Sequence, residues 1–304
     1  MIRVLVTGAA GQVGADVARA LEGRAEVLAL DRAALDLSNP AAIVARVREA
    51  CPRVIVNAAA YTAVDRAESE AESARALNAR APAVLADEAR RCGALLVHYS
   101  TDYVFDGAKS GAYVESDPPS PVNVYGATKL EGERAIAASG CAHVILRTSW
   151  VYAPRGRNFL LTMLGLARTR DEIRVVDDQH GAPTASLELA RATLGLFVPP
   201  GAGRPVEETD LERVRSRGGL FHATAGGETT WFGFARAIFA GWAARAGPSF
   251  RVPRLVPISA SEYPTPARRP ANSLLSCERL ARDFGVRLAD WREGLDEVLS
   301  ALAR

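Results

Sequence analysis

Ile2-Arg3-Val4-Leu5-Val6-Thr7-Gly8-Ala9-Ala10-Gly11-Gln12-Val13-Gly14 reads as an apolar strand, a glycine loop and the start of a helix. Ile2 to Val6 is the strand, and apolar periodicity from Val13 to Leu21 predicts the helix. Absent side chains at Gly8, Gly11 and Gly14 let the backbone turn sharply and come close to an anion. The helix N-terminus then offers free N–H groups and a positive dipole end. The spacing is G-x-x-G-x-x-G. Such a triplet also serves as a bare tight turn, but its place between strand and helix favours a dinucleotide pyrophosphate.

Outward from this loop the same alternation repeats. Strands are predicted at Val27–Leu30, Val54–Asn57, Leu95–Tyr99 and Val144–Thr148, and helices at Asn39–Ala50, Ser73–Cys92 and Tyr125–Ser139. Short apolar runs between helices predict an α/β, Rossmann-type doubly wound parallel sheet covered on both faces. Beyond Trp150, helices are expected at Asn158–Arg168, Thr184–Phe197 and Thr230–Arg245. Strands are expected at Arg174–Val176 and Leu220–Ala223, and two short helices within Ser276–Arg304. Pro199–Gly219 reads as an exposed loop, and Arg251–Pro270 as a proline-rich segment without periodicity. The implied division is a dinucleotide-binding domain (1–149 plus about 170–223) and a smaller C-terminal substrate-binding domain (about 150–169 plus 224–304).

Composition narrows the class. The chain has 304 residues, 48% hydrophobic and 24% charged, which excludes a mainly disordered chain. Thirty-seven basic against 35 acidic residues leave +2, with no electrostatic footprint for nucleic acid. No run is apolar enough to span a membrane, and the glycine loop interrupts any signal-peptide core, so a cytoplasmic location is expected. Cys51, Cys92, Cys141 and Cys277 lie far apart and read as buried, reduced thiols.

Lys109 and Lys129 are the only lysines in an arginine-rich chain. Lys129 follows Tyr125 by four residues on a predicted helix, so both share one face. An ammonium there lowers a phenol's pKa and makes it a usable proton donor to a carbonyl. Tyr-x-x-x-Lys is also common on solvated helix faces; its place behind a dinucleotide loop favours chemistry. Ser100-Thr101-Asp102 follows the strand ending at Tyr99, where open parallel sheets bind ligands, although Ser, Thr and Asp also serve as plain turn caps. Asp31 closes the second strand where a ribose-binding carboxylate is expected, while neighbouring Arg32 suits a 2′-phosphate, which leaves NADH and NADPH open.

The glycine loop, Tyr99–Gly107 (YSTDYVFDG) and Tyr125–Lys129 (YGATK) together resemble the extended short-chain dehydrogenase/reductases, and among them the dTDP-4-dehydrorhamnose reductase family. Asn57–Glu68, Arg147–Tyr152, Asp177–Thr184, Phe221–Trp231 and Glu262–Leu274 extend the likeness along nearly the whole chain. The resemblance implies reduction of the C4 ketone of dTDP-4-dehydro-L-rhamnose by NADPH or NADH. Thr101, Tyr125 and Lys129 would be the catalytic trio. Gly8, Gly11, Gln12, Val13, Gly14, Asp31, Asp36, Leu37, Ala58, Ala59, Ala60 and Tyr99 would line the cofactor, with Tyr125 and Lys129. Thr101, Asp102, Tyr103 and Trp150 would meet the nucleotide-sugar; separately, Arg268 and Arg269, from their place in the proline-rich segment, are expected to meet its diphosphate.

Some relatives dimerise through a metal held by glutamates. This chain has Ala15-Asp16 at the first such position and Glu188 near a second. A Mg2+ at a dimer interface and a monomer or homodimer are therefore both compatible with the sequence, and no metal ligand is assigned. Three rival readings stand beside the reductase: a reductase of another 4-keto-6-deoxy nucleotide sugar, a non-catalytic regulatory subunit of the same fold, and a nucleotide-sugar epimerase.

Overall fold

Six parallel strands form the central sheet of the computed structural model, which describes residues 1–199, 201–247 and 250–304. They are β1 (Arg3–Thr7), β2 (Glu26–Leu30), β3 (Val54–Asn57), β4 (Leu95–Thr101), β5 (His143–Thr148) and, at one edge, Gly219–His222. The spatial order is β2-β1-β3-β4-β5 and then the Gly219–His222 strand. Chain direction across the sheet therefore reverses between β1 and β3, and a crevice opens at their carboxyl ends. All residues of β3 and β4 are buried, as expected for strands covered on both faces.

Alternation along each strand feeds two cores. Val4, Val6, Val54, Val56, Val97 and Leu146 face helices Gln12–Leu21 and Ser186–Phe197. Leu5, Ile55, Leu96 and Ile145 face Pro40–Ala50, Ala81–Cys92 and the site helix Val124–Ala138. Asn39 caps the second helix, its side chain accepting from the N–H groups of Ala41 and Ala42. A third core, around Tyr152, Leu160, Ile173, Phe234, Ile238 and Trp291, belongs to a smaller lobe.

Several expectations are corrected. Ser73–Cys92 is broken into helix Ala71–Arg75, a π-helical turn Ala76–Arg80 and helix Ala81–Cys92. Pro82 has no N–H to give the Asn78 carbonyl and its ring would crowd it, so the turn widens. Within Pro199–Gly219 a helix runs Glu208–Arg217, burying Leu211 and Val214. Arg251–Pro270 contains a strand, Arg254–Ile258, paired parallel with Glu172–Val176. Ile173 and Val175 sit in the third core, whereas Leu280, Phe284 and Val286 sit in the first. The boundary expected near residue 170 thus falls later, and helix Glu278–Phe284 packs with the large sheet. Cys51 is exposed in a left-handed helix cap rather than buried, and all four thiols are free. Pro200, inside the expected loop, and Pro248 and Ser249, inside the expected second domain, lie outside the described residues. Among the described residues no helix is long and apolar enough to cross a membrane.

Candidate active site

The crevice begins at the glycine loop. Gly8 has φ +68°, and a Cβ there would lie 2.8 Å from the Ala59 nitrogen. A Cβ on Gly14 would lie 2.3 Å from the Gly8 carbonyl oxygen. Helix Gln12–Leu21 starts at Gly11 with no side-chain cap, so its first N–H groups face the crevice unassisted. A backbone cradle that any side chain would fill, at the positive end of a helix, fits the pyrophosphate of a dinucleotide. Ala58 and Ala59 from the end of β3 close its other side.

Asp31 ends β2 exposed, with Oδ1 accepting from the Ala34 N–H. Asp36 accepts from the Ser38 N–H and hydroxyl, which with Arg32 nearby hold its carboxyl below the usual range. Leu37 is buried in the second core, so only its main chain is available at the rim. Tyr99 departs from expectation in the same way. Its ring packs in the first core and its hydroxyl meets Thr193 on the far side of the sheet. Only its carbonyl faces the site, where it accepts from Lys129 Nζ at 2.6 Å.

Asn123 starts the site helix, Oδ1 accepting from the Gly126 N–H at 2.8 Å and Nδ2 donating to the Arg268 carbonyl. A Cβ at Gly126 would sit 2.0 Å from the Tyr103 carbonyl oxygen, so glycine lets this helix press against the Asp102–Val104 turn. There Tyr103 and Tyr125 meet edge to face with centroids 5.6 Å apart. Thr101 hydrogen-bonds Tyr125, and burial pushes the phenol up to about 12. Lys129 is fully buried and its ammonium is pushed down to about 8, with Glu133 opposing that shift. The expected lowering of Tyr125 by Lys129 is absent: the ammonium is held on the Tyr99 carbonyl and 3.2 Å from His98 Nε2. Behind it, Asn57 Nδ2 lies 2.9 Å from His98 Nδ1, and Asn57 Oδ1 lies 2.7 Å from Thr7 Oγ1.

Asp102 is buried beside Tyr125. Burial pushes its carboxyl up to about 6 against hydrogen bonds from Ser273 and Thr101, and its Oδ2 has no protein partner. Trp150 has φ +48° and stacks on Trp231 with centroids 3.6 Å apart. Its indole edge occupies the space a Gly181 Cβ would need, 2.6 Å away. Arg268 is exposed, whereas Arg269 is turned onto Asp65 at 2.8 Å and onto the Ala267 carbonyl. The arginine pair expected at a diphosphate is thus split, because Asp65 already neutralises one member.

Among the described residues no group of three metal-ligating side chains occurs. Asp16 is paired with Arg155 and accepts from Ser186; Glu188 is paired with Arg191 and accepts from the Ala289 N–H. Both carboxylates that would bridge a metal at a dimer interface are engaged within the chain.

Four features escape sequence reasoning. Asn158 donates to Gln12 Oε1 at 2.8 Å and Arg155 to the Gln12 carbonyl, so the smaller lobe grips the glycine loop directly. Asn78, in the π-helical turn, donates to the Tyr61 carbonyl and to Thr128 Oγ1 on the site helix. Asp65 holds Arg269 beside Tyr103. His98 sits beneath Lys129. A polar residue inside an apolar run, as at His98, and a proline inside a helical pattern, as at Pro82, were the available signals.

Residues 2–304 match the family described as the RmlD substrate binding domain. Over 296 residues the chain is 49% identical to the dTDP-4-dehydrorhamnose reductase of Burkholderia thailandensis, covering 96% of each. It superposes on the dTDP-4-dehydrorhamnose reductase of Clostridium acetobutylicum with a TM-score of 0.88 at 36% identity, covering 100% of both chains. The Bacillus anthracis enzyme, solved in complex with NADP, gives 0.87 at 33%, covering 99% of each.

Proposed function

The chain belongs to the RmlD substrate-binding-domain family of dTDP-4-dehydrorhamnose reductases, and from that premise we propose that it reduces the C4 ketone of dTDP-4-dehydro-L-rhamnose to dTDP-L-rhamnose in the cytoplasm. The observation that carries this reading is the convergence of Thr101, Asp102, Tyr125 and Lys129 at the carboxyl end of β4, beside the glycine cradle.

A reduced nicotinamide dinucleotide, NADPH or NADH, held by the glycine loop, Asp31 and Ala58–Ala60, supplies the hydride when bound. Tyr125 gives the proton to the C4 oxygen. Because burial pushes its phenol up to about 12, it carries that proton throughout the neutral range. Thr101 hydrogen-bonds the phenol and orients the carbonyl. Lys129, one turn along the helix, does not shift the resting phenol; its ammonium would grip the ribose hydroxyls of the bound cofactor, through which its charge reaches the phenolate left behind. The unpartnered Oδ2 of Asp102 accepts a sugar hydroxyl. Tyr103 and the Trp150 indole offer apolar surface to the hexose. Arg268, exposed and with the Asp106 carboxylate acting on it from a distance, meets the diphosphate.

The test is oxidation of NADPH and of NADH in the presence of enzymatically generated dTDP-4-dehydro-L-rhamnose, with product analysis. Cofactor consumption with dTDP-L-rhamnose as product supports the reading. A C4 epimer as product moves it to another deoxyhexose. No consumption by protein that binds the cofactor leaves the regulatory-subunit reading.

A further inference from the structure

Thr7, Asn57 and His98 occupy in-register positions on β1, β3 and β4. All three are buried, and they form one polar row across the centre of the sheet. Their parity along the strands matches Leu5, Ile55 and Leu96, so the row lies on the face covered by the site helix. It ends at Lys129, whose Nζ stands 3.2 Å from His98 Nε2. A row of polar groups in an otherwise apolar layer is costly unless every donor meets an acceptor.

That requirement fixes the protons. An ammonium only donates, so His98 Nε2 must be its acceptor and the imidazole proton must sit on Nδ1. Nδ1–H then needs an acceptor from Asn57, which its amide supplies as Oδ1, leaving Nδ2–H for Thr7 Oγ1. The orientation with Nδ2 towards His98 and Oδ1 towards Thr7, as the atoms are placed in the structure, would make Nδ1 the acceptor and set Nε2–H against the ammonium, donor to donor, so the amide is turned over. The amide has the same outline either way, so the charge on Lys129 selects between them.

We infer that His98 is a positioning residue for the reduction: held by Asn57 and Thr7 as the Nδ1–H tautomer, it offers Nε2 to the Lys129 ammonium and fixes it beside Tyr125. The inference rests on the reductase reading for its catalytic meaning, but not for its chemistry. His98 stays neutral, because burial and the neighbouring ammonium hold its pKa well below the ordinary range. Other groups around Lys129 are Glu133 on the same helix, itself ion-paired with Arg147 of β5 at 2.6 Å, and the Tyr99 carbonyl of β4. Tyr125 lies one turn before Lys129 on the same helix, with Asp102 acting on the Tyr125 phenol. An acceptor at Nε2 favours the charged lysine, so losing it moves deprotonation to lower pH.

Two measurements test this. Long-range 1H–15N correlation spectra of the unmutated protein report the His98 tautomer, independently of turnover. Nδ1–H at neutral pH is expected, and Nε2–H overturns the inference. The pH profile of kcat is then compared for His98→Asn, whose amide reaches only the Asn57 side, and His98→Gln, whose amide reaches the Nε2 position. His98→Asn should bring the alkaline limb down by about one to two pH units while KM changes little, with His98→Gln restoring most of the loss. Equal profiles for both variants and the unmutated protein overturn the inference. If the unmutated protein consumes no cofactor, the reductase reading fails, and the tautomer result still decides the proton order.

Discussion

Gly14→Ala probes the cradle with a single methyl group. Its Cβ would stand 2.3 Å from the Gly8 oxygen and 2.7 Å from the Gly8 carbon, both main-chain atoms that cannot swing aside. An ordinary contact requires about 3.4 Å or more, so helix and loop must part by about 1 Å. N–H groups that sat about 2.9 Å from a phosphate oxygen would then lie beyond hydrogen-bond range. Losing one charge-assisted bond costs about 1.5–3 kcal/mol, a ten- to hundredfold weaker Kd. The overpacking itself costs about 1–3 kcal/mol of stability, a Tm drop of about 2–10 °C. Gly165→Ala serves as control, since a Cβ there meets nothing within 4 Å. NADPH affinity by calorimetry and Tm by scanning calorimetry are the readouts. Gly14→Ala binding NADPH within twofold of the unmutated protein would refute the assignment of this loop to the pyrophosphate.

Tyr125→Phe should lower kcat about 10²–10⁴-fold with NADPH affinity nearly unchanged, and retained turnover would remove it as the acid. Asp102 has its pKa raised on folding to about 6, so the native state keeps a proton that the unfolded chain loses near pH 4. Stability therefore falls as pH rises from about 4 to 6, and Asp102→Asn should be more stable by about 1–3 kcal/mol at pH 7.5, with no gain below pH 4, by denaturant titration. Arg155→Ala strands the buried Asp16 carboxylate with Ser186 and a distant Arg19, and should cost about 1–3 kcal/mol, read as a lower denaturant midpoint. Arg268→Glu should raise KM for the nucleotide-sugar at least tenfold and leave kcat within about threefold, as expected for loss of ground-state binding to a diphosphate; steady-state kinetics with equal KM values would reject that role.

What the sequence disclosed follows from how locally each feature is encoded. Val54–Asn57 and Leu95–Thr101 are continuous buried runs, and their strand character needs no partner to be recognised. Arg254–Ile258 is a strand only because Glu172–Val176, some 80 residues earlier, lies beside it, and Pro257 is tolerated because that ribbon has just two strands. Glu208–Arg217 is so rich in charge that its two inward apolar residues, Leu211 and Val214, leave almost no periodic signal. At the site, Tyr125 and Lys129 were legible from helical spacing. The partners of Lys129 were not, because His98 and the Tyr99 carbonyl come from a strand 30 residues upstream.

The large sheet has a consequence for how the protein is made. Five of its strands are complete at Thr148, but the edge strand begins at Gly219 and helix Glu278–Phe284, which packs on that edge strand, ends 136 residues after Thr148. At about 5–20 residues per second, a ribosome needs roughly seven to thirty seconds to cover that interval. During it Val144, Leu146 and the other first-core residues emerge without the cover they have in the native state. A nascent chain in this condition is a natural client for chaperones. A fragment ending near residue 150 would carry the whole glycine loop and both site residues of the helix, yet lack the edge strand and the helix Ser186–Phe197 that covers one face of its five strands.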